Sequence, residues 1–453
     1  MIDLLGAGES GFGQFNALTI TATLGVVTAT LALWTIMRPK RFPPGPRGLP
    51  IVGSIYSIND SPEVVFGEWA KKYGDVVGFK AGQRWMVVLN RQALIKEAVL
   101  KQGEDFAGRP DFYSLELLTE GFKDIAFSPY NETWKLHRRL AHSALSYELE
   151  DPKVVQWMDL NDELSETSGL GLAADYFSWA KYLPTSGARM IKKNLEKQFG
   201  FLRSQVEETR EHYDPENINN FYSLLLKAQE DARKEGENVD KLTDTHVFQT
   251  IADMFGAGIQ TTVETLYWAM ALLATYPEIQ AKIRAEIDDV IGRDRLPTIN
   301  DRGKLVYTEA SLYEVLRYSS IVPTNLHATT RDTEFGGYHI PKGTVVLINT
   351  HSMHYDPQEW DQPDKFLPEH FMDGSGTVRE HPPSFLPFGA GRRGCLGEAV
   401  AKADLFLIFS WFLQNYTFSK VPGKESEDIL NMIPQTAFGR LLISYEIMIN
   451  KRD

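Results

Sequence analysis

Apolar and polar positions divide the chain into one long uncharged stretch and a body of mixed helix and strand patterns. Residues 10–37 carry no charge, and Phe15 to Met37 (FNALTITATLGVVTATLALWTIM) supply 23 mostly apolar residues. About 20 such residues cross a bilayer as a helix, so an N-terminal transmembrane helix is predicted. A cleaved signal peptide starts basic and has a shorter apolar run, whereas this start carries Asp3 and Glu9. Arg38, Lys40 and Arg41 follow, which puts the rest of the chain in the cytosol. Phe42 to Pro50 (FPPGPRGLP) reads as a stiff proline hinge. The expected organisation is an anchor with a basic stop over 1–41, the hinge over 42–50 and one large domain over 51–453.

In that domain DVVGFK and WMVVLN flank AGQR, a β-hairpin pattern, and a helical run covers Arg91 to Lys101. Thr245 to Thr275 runs 31 residues without proline and is apolar nearly all round, which predicts one buried helix. Such a helix is about 45 Å long. PEIQAKIRAEIDDVI, YTEASLYEVLRYSS and EAVAKADLFLIFSWFLQ read as further helices, and TVVLIN as a strand. The fold class is mainly α with small β-sheets.

The middle of the long helix breaks its own pattern. Gly256-Ala257-Gly258 is followed by Gln260, Thr261 and Thr262, and each glycine costs a helix about 1 kcal/mol. Either another helix packs closely there, or something must approach the backbone.

Composition narrows the chemistry. A net charge of −13 excludes nucleic acid as a general partner. One cysteine, Cys395, allows neither an internal disulfide nor a cysteine-rich zinc or iron–sulfur site. Its surroundings, FLPFGAGRRGCLGE, contain a literal G-x-G-x-x-G at Gly389–Gly394. A proline interrupts any preceding strand and position 414 is Gln rather than an acid, so the dinucleotide reading is rejected. His381 is the nearest histidine for a nucleophilic cysteine, and a buried inert thiol is the bland alternative. Against that alternative, glycines free the backbone around the sulfur and a helix begins just after it, which favours a thiolate. One thiolate without companion ligands is how haem iron is held through cysteine.

Phe388, Gly391, Arg393, Cys395 and Gly397 match F-x-x-G-x-R-x-C-x-G, so the chain resembles the cytochrome P-450 family of haem-thiolate monooxygenases. Three further stretches are similar to family motifs in the same order: Trp134 to Arg138 (W-x-x-x-R), Ala257 to Thr262 (A-G-x-[DE]-T-T) and Glu314 to Arg317 (E-x-x-R). With the anchor and hinge, the likeness is to microsomal members and to the cytochrome P-450 fold. It implies haem b, with Cys395 as the metal ligand and Phe388 packed over the sulfur loop. It implies Arg109, Trp134, Arg138, His327 and Arg393 at the haem propionates. Thr261 and Gln260 take the oxygen-activating positions, Ala257, Ile321 and Val322 the substrate pocket. Glu314, Arg317 and His370 become a structural cluster, His370 standing where an arginine is usual.

The activity implied is hydroxylation of a rigid lipophilic substrate with O2 and two electrons. An NADPH-dependent flavoprotein reductase, with cytochrome b5 as a further donor, supplies the electrons at the endoplasmic reticulum membrane. Arg392, Arg393, Lys402, Lys135 and Arg139 are candidates for a basic docking patch. DFAGRP and DMFGAGIQTT are similar to steroid 17α-hydroxylases/17,20-lyases, whereas GRPDFYS and VIGRDRLP are similar to hydroxylases of planar aromatic compounds. A steroid is the preferred substrate, with aromatic xenobiotics and a catalytically impaired haem protein as alternatives. Two departures stand out. Gln260 replaces an acid and cannot relay a proton by ionising. The interval after about residue 146 is too short for the helices that similar proteins carry there.

Overall fold

In the computed structural model, residues 22–23, 25–27, 37–58, 61–144, 171–218, 220–379, 381–425, 428–430, 439–442 and 444–452 are described. Among them no helix is long and apolar enough to cross a membrane, and most of the span expected at Phe15–Met37 lies outside them.

The longer helices are α1 (Pro62–Tyr73), α2 (Glu132–Ala144), α3 (Ser186–Glu211), α4 (Phe221–Glu235), α5 (Asp244–Thr275), α6 (Pro277–Val290), α7 (Val306–Ser319) and α8 (Glu398–Asn415). The expected hairpin forms: β1 (Val76–Ala81) and β2 (Arg84–Leu89) pair antiparallel, with Val77 opposite Val88. A four-stranded sheet in the order β1-β2-β6-β3 adds β6 (Val345–Asn349) parallel to β2, and β3 (Thr324–Ala328) antiparallel to β6. Two ribbons complete the strands, β4 (Thr333–Phe335) with β5 (Tyr338–Ile340), and β7 (Tyr416–Lys420) with β8 (Ile447–Lys451). The helical run at 91–101 divides into Gln92–Lys96 and a wider π turn, Glu97–Lys101.

The main core lies where α5, α6, α7 and α8 meet. Trp268, Leu272, Ile283, Val315 and Phe409 are all buried there. Helix α5 stops before Pro277 as expected, and at its other end it starts at Asp244, one residue before the expected Thr245, on a Thr243 side-chain cap. Uniform burial is not what its middle shows. Val247–Ile251 and most of Glu264–Ala274 are buried, but Ala257, Gly258 and Thr261 are exposed. Apolarity says which residues can be buried; neighbours decide which are, and here they leave a stripe one helical turn apart open.

Candidate active site

The loop before α8 is shaped by two glycines. Gly389 (φ 66°) and Gly391 (φ 71°) lie in the left-handed region, and a side chain on Gly391 would strike the Val99 carbonyl in the π turn. The loop closes on itself where the Cys395 N–H donates to the Phe388 carbonyl at 2.8 Å. Phe388 packs against the main core, with Lys402 Nζ 5.5 Å from its ring centroid. Cys395 keeps accessible surface toward an open cleft of about 560 Å³ that Arg138, His142, Arg302, Glu398 and Lys402 help to line. Protein on its other sides desolvates it, and this burial pushes the thiol above its ordinary value. The Gly397 N–H bond and nearby Arg138 act the other way without overcoming it. The helix start therefore does not by itself make a thiolate; a metal ion would, because a coordinated thiol loses its proton.

Five residues expected around the propionates come together. Arg393 lies 4.3 Å above the Trp134 ring, and both donate to the Ile125 carbonyl. Arg393 also donates to the carbonyls of Ala107 (2.8 Å) and Ser128 (2.6 Å). Arg109 donates to Ala126 and Leu326, Arg138 to Gly394, and His327 Nδ1 lies 2.8 Å from the Phe106 carbonyl. Burial, reinforced by neighbouring cations, pushes Arg109 down to about 10 and Arg393 to about 8. Burial and Arg109 push His327 down to about 3.

The nearby acids do not balance this charge. Burial raises Asp124 to about 6 and Asp253 well above its ordinary value. Asp253, on α5, is engaged by the N–H groups of Ile125 (2.5 Å) and Ala126 (3.1 Å). Three guanidiniums in low dielectric outnumber the two acids beside them, which suits an anionic ligand. The chain's single cysteine, together with this cluster, fits an iron porphyrin with two carboxylates.

On α5, Thr261 Oγ1 donates to the Ala257 carbonyl at 2.7 Å, and Gln260 Nε2 to Glu264 Oε1 at 3.1 Å. A side chain added at Gly258 would meet nothing within 4 Å, so close packing does not explain this glycine. Ile321 and Val322 lie partly buried after α7.

Behind the site, Arg317 and Glu314 are completely buried and joined by two hydrogen bonds of 2.7 and 2.8 Å. Arg317 also donates to the carbonyls of His354, Pro363 and Lys365. His370 faces Glu314 through Nδ1 (3.1 Å) and the Asp361 carbonyl through Nε2 (2.5 Å). Both ring nitrogens thus meet oxygen partners, which fixes the plane of the ring. Of the basic candidates, Lys135 pairs with Glu132, Arg392 with Glu104 and Lys402 with Glu398.

The Cytochrome P450 family model matches residues 43–166 and 144–446, two stretches that together span most of the chain. The chain belongs to the cytochrome P450 family. This cytochrome P450 is a haem-dependent monooxygenase, and members of the family hold haem through a cysteine thiolate and use O2, a redox partner and a lipophilic substrate. It is similar to steroid 17-alpha-hydroxylase/17,20 lyase of Ictalurus punctatus, 33% identical over 443 residues covering 84% of this chain and 86% of the relative. The enzyme of the same name from Squalus acanthias is 31% identical over 472 residues, covering 91% and 93%. Cytochrome P450 1A1 of Rattus norvegicus is 30% identical over 488 residues, covering 92% and 93%.

Sequence reasoning missed Asp124, Asp253 and His354. Asp253 stands four positions before Ala257 and eight before Thr261, a helical-face signal that could have found it.

Proposed function

We propose that this cytochrome P450 hydroxylates a rigid, flat lipophilic molecule, and that a steroid is its substrate. The geometric support is the open stripe Ala257, Gly258 and Thr261 on an otherwise largely buried helix. The steroid preference draws on relatives named steroid 17-alpha-hydroxylase/17,20 lyase.

Haem b, when bound, supplies the O2 activation and C–H oxidation. Cys395 would hold its iron, and Arg109, Trp134, Arg138, His327 and Arg393 its carboxylates. Phe388 packs the loop that carries Cys395. Because Thr261 gives its own proton to Ala257, its oxygen can accept a proton donor from the open side of the helix. Gln260, held by Glu264, can orient water there but cannot exchange charge with it. Ala257, Ile321 and Val322 would form apolar walls for the substrate. Glu314, Arg317 and His370 keep the frame beneath rigid.

Electrons would come from an NADPH-dependent flavoprotein reductase or cytochrome b5, docking over the cleft that Arg138, His142, Arg302 and Lys402 help to line. Residues 1–41 would anchor the enzyme to the endoplasmic reticulum, with 42–50 as hinge and the domain from 51 onward in the cytosol. A shortened middle after about residue 146 draws support from one relative's alignment, whose 472 positions use 91% of a 453-residue chain, so it opens gaps on this chain's side.

Titration of the haem-loaded protein with steroids and with planar polycyclic aromatics, following the ferric spin shift, tests the substrate. Tighter binding of steroids is expected. Preference for the aromatics would instead favour the second reading, which rests on similarity to cytochrome P450 1A1.

A further inference from the structure

The Glu314 cluster and the Cys395 loop are distant in sequence, and one side chain belonging to neither motif joins them. His354 ends the short helix Thr350–His354 and is fully buried. Its carbonyl accepts Arg317 Nη1 at 2.7 Å. Its ring bridges Ser320, whose Oγ is 3.1 Å from Nδ1, and Leu386, whose backbone N–H donates to Nε2 at 3.2 Å. Since the Leu386 N–H can only donate, Nε2 is the acceptor and the ring proton sits on Nδ1, donating to Ser320. Burial beside Arg317 and Arg440 pushes His354 down to about 3, which keeps the ring in the neutral form this arrangement needs.

Both neighbours are themselves fixed. Ser320 caps α7 in the left-handed region, at φ 42°. The Leu386 carbonyl accepts the Gly389 N–H at 3.0 Å, and the Phe388 carbonyl in the same turn accepts the Cys395 N–H. Hydrogen bonds thus link Glu314, through Arg317 and His354, to the turn that opens the cysteine loop.

We infer that His354 is a positioning residue for that loop, tying Leu386, and with it the turn ahead of Cys395, to the Glu314–Arg317 cluster. The spectroscopic part of its test rests on Cys395 being the haem ligand; the loop-ordering part does not.

His354→Phe keeps an aromatic ring beside Phe385, now 5.9 Å away, but leaves the Leu386 N–H without an acceptor. His354→Gln offers an amide oxygen of similar reach. Hydrogen exchange on the full chain as purified, with its melting temperature, is compared with the fraction showing the red-shifted reduced-carbonyl band of a thiolate-bound haem. In His354→Phe, peptides over 384–397 should exchange about tenfold faster while α7 peptides and the melting temperature change little. The thiolate-bound fraction should fall several-fold, and His354→Gln should recover most of both effects. Unchanged exchange over 384–397 in His354→Phe would overturn the inference. So would exchange rising equally throughout the fold in both variants, which marks general destabilisation. If Cys395 is not the ligand, the unsubstituted protein lacks the thiolate band while the exchange comparison still decides the role of His354.

Discussion

Gln260 Nε2 donates to Glu264 Oε1 across one turn of α5, at 3.1 Å. The acid that the family motif places at 260 is absent, and a buried acid stands one turn further on, linked to that position by an amide that carries no ionisable proton. Gln260→Glu should raise the yield of product per NADPH and lower peroxide release, at least twofold. It should cost about 0.5 kcal/mol of stability, because residues 260 and 264 would then be like charges one turn apart. Unchanged coupling of electrons to product would show that Gln260 does not limit proton delivery.

Gly258 separates two roles for glycine. Nothing lies within 4 Å of where its side chain would sit. Gly258→Ala should therefore stabilise α5 by about 0.5–1 kcal/mol in denaturant unfolding while lowering turnover, since the new methyl group would stand on the open stripe proposed to face substrate and dioxygen. A loss of stability together with activity would return the glycine to a packing role.

The Glu314–Arg317 pair is worth little as a net source of stability but is costly to halve. Arg317→Met leaves Glu314 buried with the His370 ring as its remaining side-chain partner, and should cost about 3–5 kcal/mol. His370→Phe, which leaves Arg317 in place, should cost about 1–3 kcal/mol. Denaturant midpoints for the two variants check the order; equal costs would mean that His370 holds Glu314 as firmly as Arg317 does.

Acid should weaken the fold. Burial pushes His327 and His354 down to about 3 and His246 to about 4, against an ordinary 6.5. The unfolded chain takes up protons as pH falls through 6.5 while the folded chain does not, so this stability is complete above 6.5 and lost toward 3. Asp124, raised to about 6 from 3.8, and Asp253, raised well above 3.8, work oppositely and make the decline shallower. Denaturant midpoints measured from pH 7.5 to 4 should fall, and His354→Gln should flatten the profile. A level profile in the unsubstituted chain would contradict the neutral assignments.

What was legible in the sequence follows physical locality. The β1–β2 hairpin, the end of α5 and the glycine-framed cysteine loop carry their causes within a few residues: a short polar turn, a following proline, a run of glycines. The five cationic and aromatic residues near the loop were legible through likeness to a family rather than through any local pattern. The open stripe on α5 was hidden because neighbours, not apolarity, set exposure. His354 was hidden for the same reason, since its ring partners lie 34 and 32 positions away.

The position of Cys395 as iron ligand is tested most directly by the reduced carbonyl spectrum of the haem-loaded protein. The unsubstituted chain should show the strongly red-shifted Soret band of thiolate ligation, and Cys395→Ala should lose it. A colourless, stable, haem-free protein, or a band that survives Cys395→Ala, would contradict it.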